Sequence, residues 1–213
     1  GTVFSDGVTP QVAALLIDAQ PKMAAVKEVI AYSTRKMVAS APESELSNFV
    51  IDLIRTETEK IVKRKVDVAV SNFGGIRVDM PEGDVLLDDI RSMFPFNNKL
   101  CYVELPGNEL IALMDQIALY GPQCVSGVRM VISDRKVESL EVGGMPVDPK
   151  KKYGVATVDF LLDGGDNITV ARGATKLIIS DVIVGQAIEQ YIRNLTAEGK
   201  AIEYQTDGRV VVK

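Results

Sequence analysis

Histidine and tryptophan are absent from this chain, cysteine occurs twice, and aromatic residues fill only 6% of its 213 positions. Without histidine it cannot build a Ser-His-Asp or Cys-His nucleophilic site, nor the nitrogen-rich zinc or two-metal centre of a phosphatase. Hydrolysis by this chain alone is therefore not expected. The two cysteines, Cys101 and Cys124, lack metal-ligand spacing. Cys101 alternates with Val103 and Leu105 on the apolar side of LCYVEL, which favours buried thiols, with a single disulfide as the alternative. An excess of positive charge is also missing. Lysine and arginine number 24 against 29 acids, interspersed to a net −5, so nothing favours binding along a nucleic-acid backbone. No apolar run approaches the roughly 20 residues that cross a bilayer, and no charged-then-apolar leader opens the sequence. Its first residue is Gly1 rather than Met, which reads as a processed or cloned fragment.

What is present is a chain able to bury a core, with 46% hydrophobic residues in patterned segments. Residues 8–26 are apolar at helical intervals and broken at Pro21, and EVIAYS (28–33) reads as a strand. Ser40 with Glu43, and Pro42 in the first turn, predicts a capping box ahead of a long helix bearing Leu46, Phe49, Val50, Leu53 and Ile61 on one face. KVDVAV is a strand ending at Asn72, and VLLDDIRSMF (85–94) a short helix. KLCYVEL follows as a strand, and Pro106-Gly107-Asn108 opens a helix carrying Leu110, Leu113, Met114 and Ile117. GVRMVIS, KVESLEV and KYGVATVDF are strands separated by turns. An extended stretch after GGDN, a helix from about Ser180 to Leu195 and the strand RVVVK complete the chain. Helices and strands mix without regular alternation, which predicts an α+β fold with mixed sheets and flanking helices. The simplest division is an N-terminal helical arm with the first strand over 1–33, then one unit over 34–213.

Three loops have the chemistry to hold a ligand. Gly74 and Gly75, directly after a buried strand, let backbone N–H groups approach an anion, and Arg77 adds a charge-assisted donor. Gly164 and Gly165 present Asp166, whose two carboxylate oxygens suit a pair of neighbouring hydroxyls. Phe96 and Phe160 stand at loop mouths where a ring can stack on a base. Each taken singly reads rather as an ordinary turn or a core aromatic. Asp84, Asp88 and Asp89 are the densest carboxylates, and on a short helix they read as solvated or capping charges rather than as a metal site.

Taken in order, SNFGGIR, MFPFNNKLCYVELPGNEL, VSGVRMV and YGVATVDFLLDGGD resemble the C-terminal domain of the 5′-nucleotidase and UDP-sugar hydrolase family. TPQVAALL through VIAYS is similar to the arm that joins that domain to its catalytic partner. The resemblance implies that Asn72 and Arg77 contact nucleoside and phosphate, with Asn98 in the matching P-F-x-N motif. It also implies that Phe96 and Phe160 sandwich a base and that Asp166 takes ribose hydroxyls. No cofactor is implied for this chain. Divalent metals would sit in a separate metallophosphoesterase domain or chain, the ligand would be AMP-like or a UDP-sugar, and the location would be the periplasm or cell envelope. The alternative is an interaction module whose ligand loops have degenerated. Three positions depart from the family pattern. Phe73 replaces a glycine and puts bulk beside the phosphate loop, Asn167-Ile168 replaces a glycine and an aromatic, and Pro42 stands where an arginine is usual.

Overall fold

A computed structural model describes residues 27–213, so the apolar segment 8–26 lies outside the described residues. Among the described residues, four α-helices and eleven strands follow in chain order. They are β1 (Val29–Ser33), α1 (Glu45–Val62), β2 (Val68–Ser71), β3 (Gly83–Leu86), α2 (Leu87–Met93) and β4 (Lys99–Pro106). Then come α3 (Gly107–Tyr120), β5 (Cys124–Ser126), β6 (Val128–Ser133), β7 (Lys136–Val142) and β8 (Met145–Pro146). The last are β9 (Lys152–Val158), β10 (Lys176–Ile183), α4 (Val184–Ala197) and β11 (Val210–Val212).

The main sheet has five strands in the order β10-β4-β9-β2-β5, with β2 and β9 parallel and the other pairs antiparallel. A four-stranded sheet, β11-β6-β7-β8, and a β1-β3 pair complete the mixed α+β arrangement that the sequence predicts. Strands β2 and β9 are buried along nearly their whole length, which is why KVDVAV and KYGVATV read as continuous apolar runs. Helix α1 covers this sheet with Leu46, Phe49, Val50, Leu53 and Ile54, all buried. Each such side chain contributes about 1.5–3 kcal/mol by leaving water. Both cysteines are free and buried, and burial pushes the Cys101 thiol up to about 12. They behave as small hydrophobes.

Three boundaries differ from the sequence reading. The cap of α1 is Ser44, not Ser40: its hydroxyl accepts from Ser47 N at 3.3 Å while Ser47 Oγ accepts from Ser44 N at 2.9 Å. Glu43, the other half of the expected box, turns instead to Asn48 Nδ2 and to the amides of Gly208 and Arg209. Long-range partners drew it away. Residues 83–86 form a strand because β1 pairs with them, and α2 starts only where the Asp89 carboxylate accepts from Leu86 N at 2.7 Å. Asp89 is thus the capping charge that its position suggests. Likewise β10 continues through Ile183 on the edge of β4, delaying α4 beyond Ser180. The start of α3 falls where PGN places it. Gly107 is required there, since a Cβ would lie 1.9 Å from the Asp148 carbonyl oxygen. No helix of the described residues is long and apolar enough to cross a membrane.

Candidate functional site

The ends of β2 and β9 and the segment entering β4 converge on one cavity of about 240 Å³. Its lining is Asn72, Gly74, Gly75, Arg77, Phe96, Asn98, Phe160 and Asp166, three loops separated widely in sequence. The remaining two residues singled out from the sequence, Gly164 and Gly165, do not line it and act by shaping the loop that does.

Asn72 directly follows β2 with its side chain buried, and the chain then tightens into a 3₁₀ turn over Phe73–Gly75. Its Nδ2 donates to Asp166 Oδ2 at 2.7 Å, tying together loops 94 positions apart. Its Oδ1 is buried without a partner. An unpaired buried amide oxygen costs free energy unless a water or a ligand donor meets it. A Cβ on Gly75 would come within 3.0 Å of that oxygen and crowd it. Arg77 donates from Nη1 to the Gly74 carbonyl at 3.4 Å, and its guanidinium carbon stands 6.0 Å from the centre of the Phe96 ring. Its own amide donates to Met93 O at 3.0 Å, joining the glycine loop to the end of α2.

Phe96 and Phe160 are 47% and 48% exposed, unusual for rings with a core available. Phe96 lies on the short path from α2 to β4, which Asn98 O fastens by accepting from Val184 N at 2.9 Å. Phe160 sits in the 3₁₀ turn after β9, its amide donating to Asp159 Oδ1 at 2.9 Å. Gly164 follows at φ +96°, and then Asp166 and Asn167 take left-handed conformations at φ +50° and +62°. Two successive non-glycine residues in that region store strain of the kind that collects at ligand sites. The loop is held by Val170 N donating to Leu161 O at 2.9 Å and by Thr169 N donating to Gln116 Oε1 at 3.0 Å, an anchor on α3 that no motif signalled.

Phe73 does not crowd the cavity as its sequence position suggests. Half-buried, it packs against the core, is absent from the lining, and its amide donates to Gln123 Oε1 at 3.3 Å. Ile168 is likewise a core residue, and Pro42 lies outside the cavity wall. Gly165 has no room for a side chain, because a Cβ would stand 2.2 Å from the Phe160 carbonyl oxygen and 2.9 Å from its ring. Gly165→Ala is therefore expected to push Phe160 from its place and lower stability by about 1–3 kcal/mol. Chemical denaturation and ligand titration of this variant check both effects. The cavity as a whole offers two aromatic faces, a cation at the rim and a carboxylate. That set suits a flat polar ring bearing hydroxyls and a negative group.

Comparison with known proteins identifies the family. The family model described as "5′-nucleotidase, C-terminal domain" matches residues 22–173. Protein UshA of Escherichia coli (strain K12) is 28% identical over 149 residues, covering 68% of this chain and 27% of UshA. Cell wall protein Lmo0130 of Listeria monocytogenes is 30% identical over 188 residues, covering 80% of this chain and 24% of that protein. This chain therefore spans about a quarter of these relatives. A crystal structure of a 5′-nucleotidase precursor from Thermus thermophilus superposes with a TM-score of 0.80 at 28% identity, covering 94% of this chain and 42% of the other. The chain belongs to the 5′-nucleotidase C-terminal domain family.

Proposed function

We propose that this domain binds the nucleoside portion of a nucleotide and presents its phosphate to a separate metallophosphoesterase domain, which performs the hydrolysis. The observation that carries this reading is the convergence of Asn72, Arg77, Phe96, Asn98, Phe160 and Asp166 on one cavity. Phe96 and Phe160 take the base between them, each stacking contact worth about 1–3 kcal/mol. Asp166, oriented by Asn72, accepts from the two ribose hydroxyls, and Arg77 at the rim meets the phosphate. Gly74 and Gly75 let the backbone approach the ligand, and Gly164 and Gly165 set the turn that carries Asp166.

Residues 34–213 constitute the ligand-binding unit in this reading, and 1–33 the connector to the catalytic domain. Strand β1, at the end of that segment, is paired with β3 of the unit. The catalytic metals belong to the other domain. Among the described residues no three His, Cys, Asp or Glu side chains form a group suited to a metal, and no hydrolytic step is assigned to this chain. A place in the cell envelope agrees with the name of the Listeria relative, a cell wall protein.

Isothermal titration with adenosine, AMP and a UDP-sugar tests the proposal, alongside an assay for phosphate release with added divalent metal. Saturable binding without turnover is expected. Heat-silent titrations with every member of the panel at millimolar concentration would refute it.

A further inference from the structure

We infer that Gln116 and Gln123, neither of which lines the candidate cavity, are positioning residues that hold two of its loops in place and so set the orientation with which Asp166 recognises a pair of neighbouring hydroxyls. The inference rests on the nucleoside reading for what Asp166 meets. How Asp166 is held is a matter of geometry alone.

Gln116 lies on α3, which Leu113, Met114 and Ile117 fix in the core, and its Oε1 accepts from Thr169 N at 3.0 Å. Gln123 follows α3 and directly precedes Cys124, whose antiparallel partner on β2 is Ser71. That register sets Gln123 beside Asn72, and its Oε1 accepts from Phe73 N at 3.3 Å. Both glutamines are half-buried. A backbone N–H must meet an acceptor, so in each case the amide oxygen is the atom that faces the loop. The helix and its exit thus grip the glycine loop after β2 and the Asp166 loop after β9. The two loops are joined in turn by Asn72 Nδ2 donating to Asp166 Oδ2 at 2.7 Å.

The Asp166 loop has particular need of such a hold. Asp166 and Asn167 stand at φ +50° and +62°, and non-glycine residues persist in that region only where their surroundings over-determine them. The backbone bonds of the turn, Asn167 N to Gly164 O at 3.2 Å, Ile168 N to Gly165 O at 3.1 Å and Val170 N to Leu161 O at 2.9 Å, all stay within the loop. Gln116 supplies the bond that ties it to another element. Two hydroxyls on neighbouring carbons must both come within hydrogen-bond range of one carboxylate, a condition narrow in distance and angle. Loosening the turn should therefore harm recognition of the diol more than recognition of the base.

The test uses Gln116→Met and Gln123→Met, which keep the volume and remove the acceptor, with Gln116→Glu, which keeps an acceptor oxygen at the same reach. In the ligand-free ¹⁵N-labelled chain both methionine variants are expected to shift the Asn72 side-chain amide and the Asp166 and Asn167 backbone amides. Gln116→Glu should leave them close to the parent's positions. By isothermal titration the parent should bind adenosine about tenfold or more tighter than 2′-deoxyadenosine, a ratio that narrows towards one in Gln116→Met and is kept in Gln116→Glu. A general loss of packing would weaken both ligands alike and leave the ratio as it was. The inference is overturned if the amides of both methionine variants match the parent's, or if Gln116→Met retains the parent's ratio. Should the parent bind neither nucleoside, the nucleoside reading falls, and the ligand-free amides alone decide whether the glutamines hold the loops. If Gln116→Met does not fold, Gln123→Met carries the same measurements.

Discussion

Alanine at Phe96 or at Phe160 is expected to weaken nucleoside binding by about 1–3 kcal/mol each, roughly 5- to 150-fold, and the double replacement to take it beyond calorimetric detection. Both rings are about half exposed, so neither holds the core together and the thermal midpoint of each variant should stay close to that of the parent. This separation makes the experiment informative. A structural role for the rings would appear as lost stability with affinity little changed, and a ligand role as the reverse. Circular dichroism melting with isothermal titration on the same samples reads both. If affinity survives the double replacement, the ligand does not sit between these rings.

Replacing Arg209 with methionine should lower folding stability by about 3–5 kcal/mol, or roughly 6–20 °C in midpoint for a chain of this size. Its side chain is only 8% exposed, and removing it leaves Asp52 and Asp207 without their cation. Burial pushes the Asp52 carboxyl up, but hydrogen bonds from Arg209, Ser126 and Tyr204 outweigh this and hold it below its ordinary 3.8. Asp207 is held low chiefly by its hydrogen bond from Arg209. A carboxyl depressed in the folded state contributes stability that is complete above its unfolded value and is lost as pH falls through its folded one. The parent should therefore lose stability steeply on acidification below the ordinary aspartate value of 3.8, and Arg209→Met much less so. Denaturant melts across pH 2–7 measure the difference, with about that range chosen to span both states. Because Arg209 is no part of the ligand cavity, nucleoside affinity at neutral pH should be unchanged.

The candidate cavity was legible in the sequence to the extent that its residues are carried by short local motifs. SNFGGIR, PFNN and DFLLDGGD each contribute side chains within a few positions, and their order allowed the three to be read as one site. Contacts made between motifs were not legible. The Asn72–Asp166 hydrogen bond joins two loops 94 positions apart, and nothing local in either announces the other. The same limit explains the misplaced ends of elements. Ser40-x-x-Glu43 satisfies the local pattern of a cap as well as Ser44–Ser47 does, and the choice was settled by Asn48 and the distant amides of Gly208 and Arg209, which claim Glu43. VLLDDIRSMF has a helical pattern throughout, yet its first residues became a strand because β1 offered them a partner. Phe73 shows a related limit, since its place beside two glycines put it near the cavity but did not give the side on which its ring packs. The Asp52–Arg209–Asp207 cluster had no motif at all. Asp52 lies on α1 and Arg209 just before β11, 157 positions apart, and only folding brings them together.

The central claim is that a nucleobase lies between Phe96 and Phe160 with its ribose at Asp166. Intermolecular nuclear Overhauser contacts in the AMP complex, with the phenylalanine rings selectively protonated, test this most directly. The account predicts contacts from the base protons to both Phe96 and Phe160, together with shifts at Asn72 and Asp166. Binding of AMP with base contacts to other residues, and none to either ring, would contradict it.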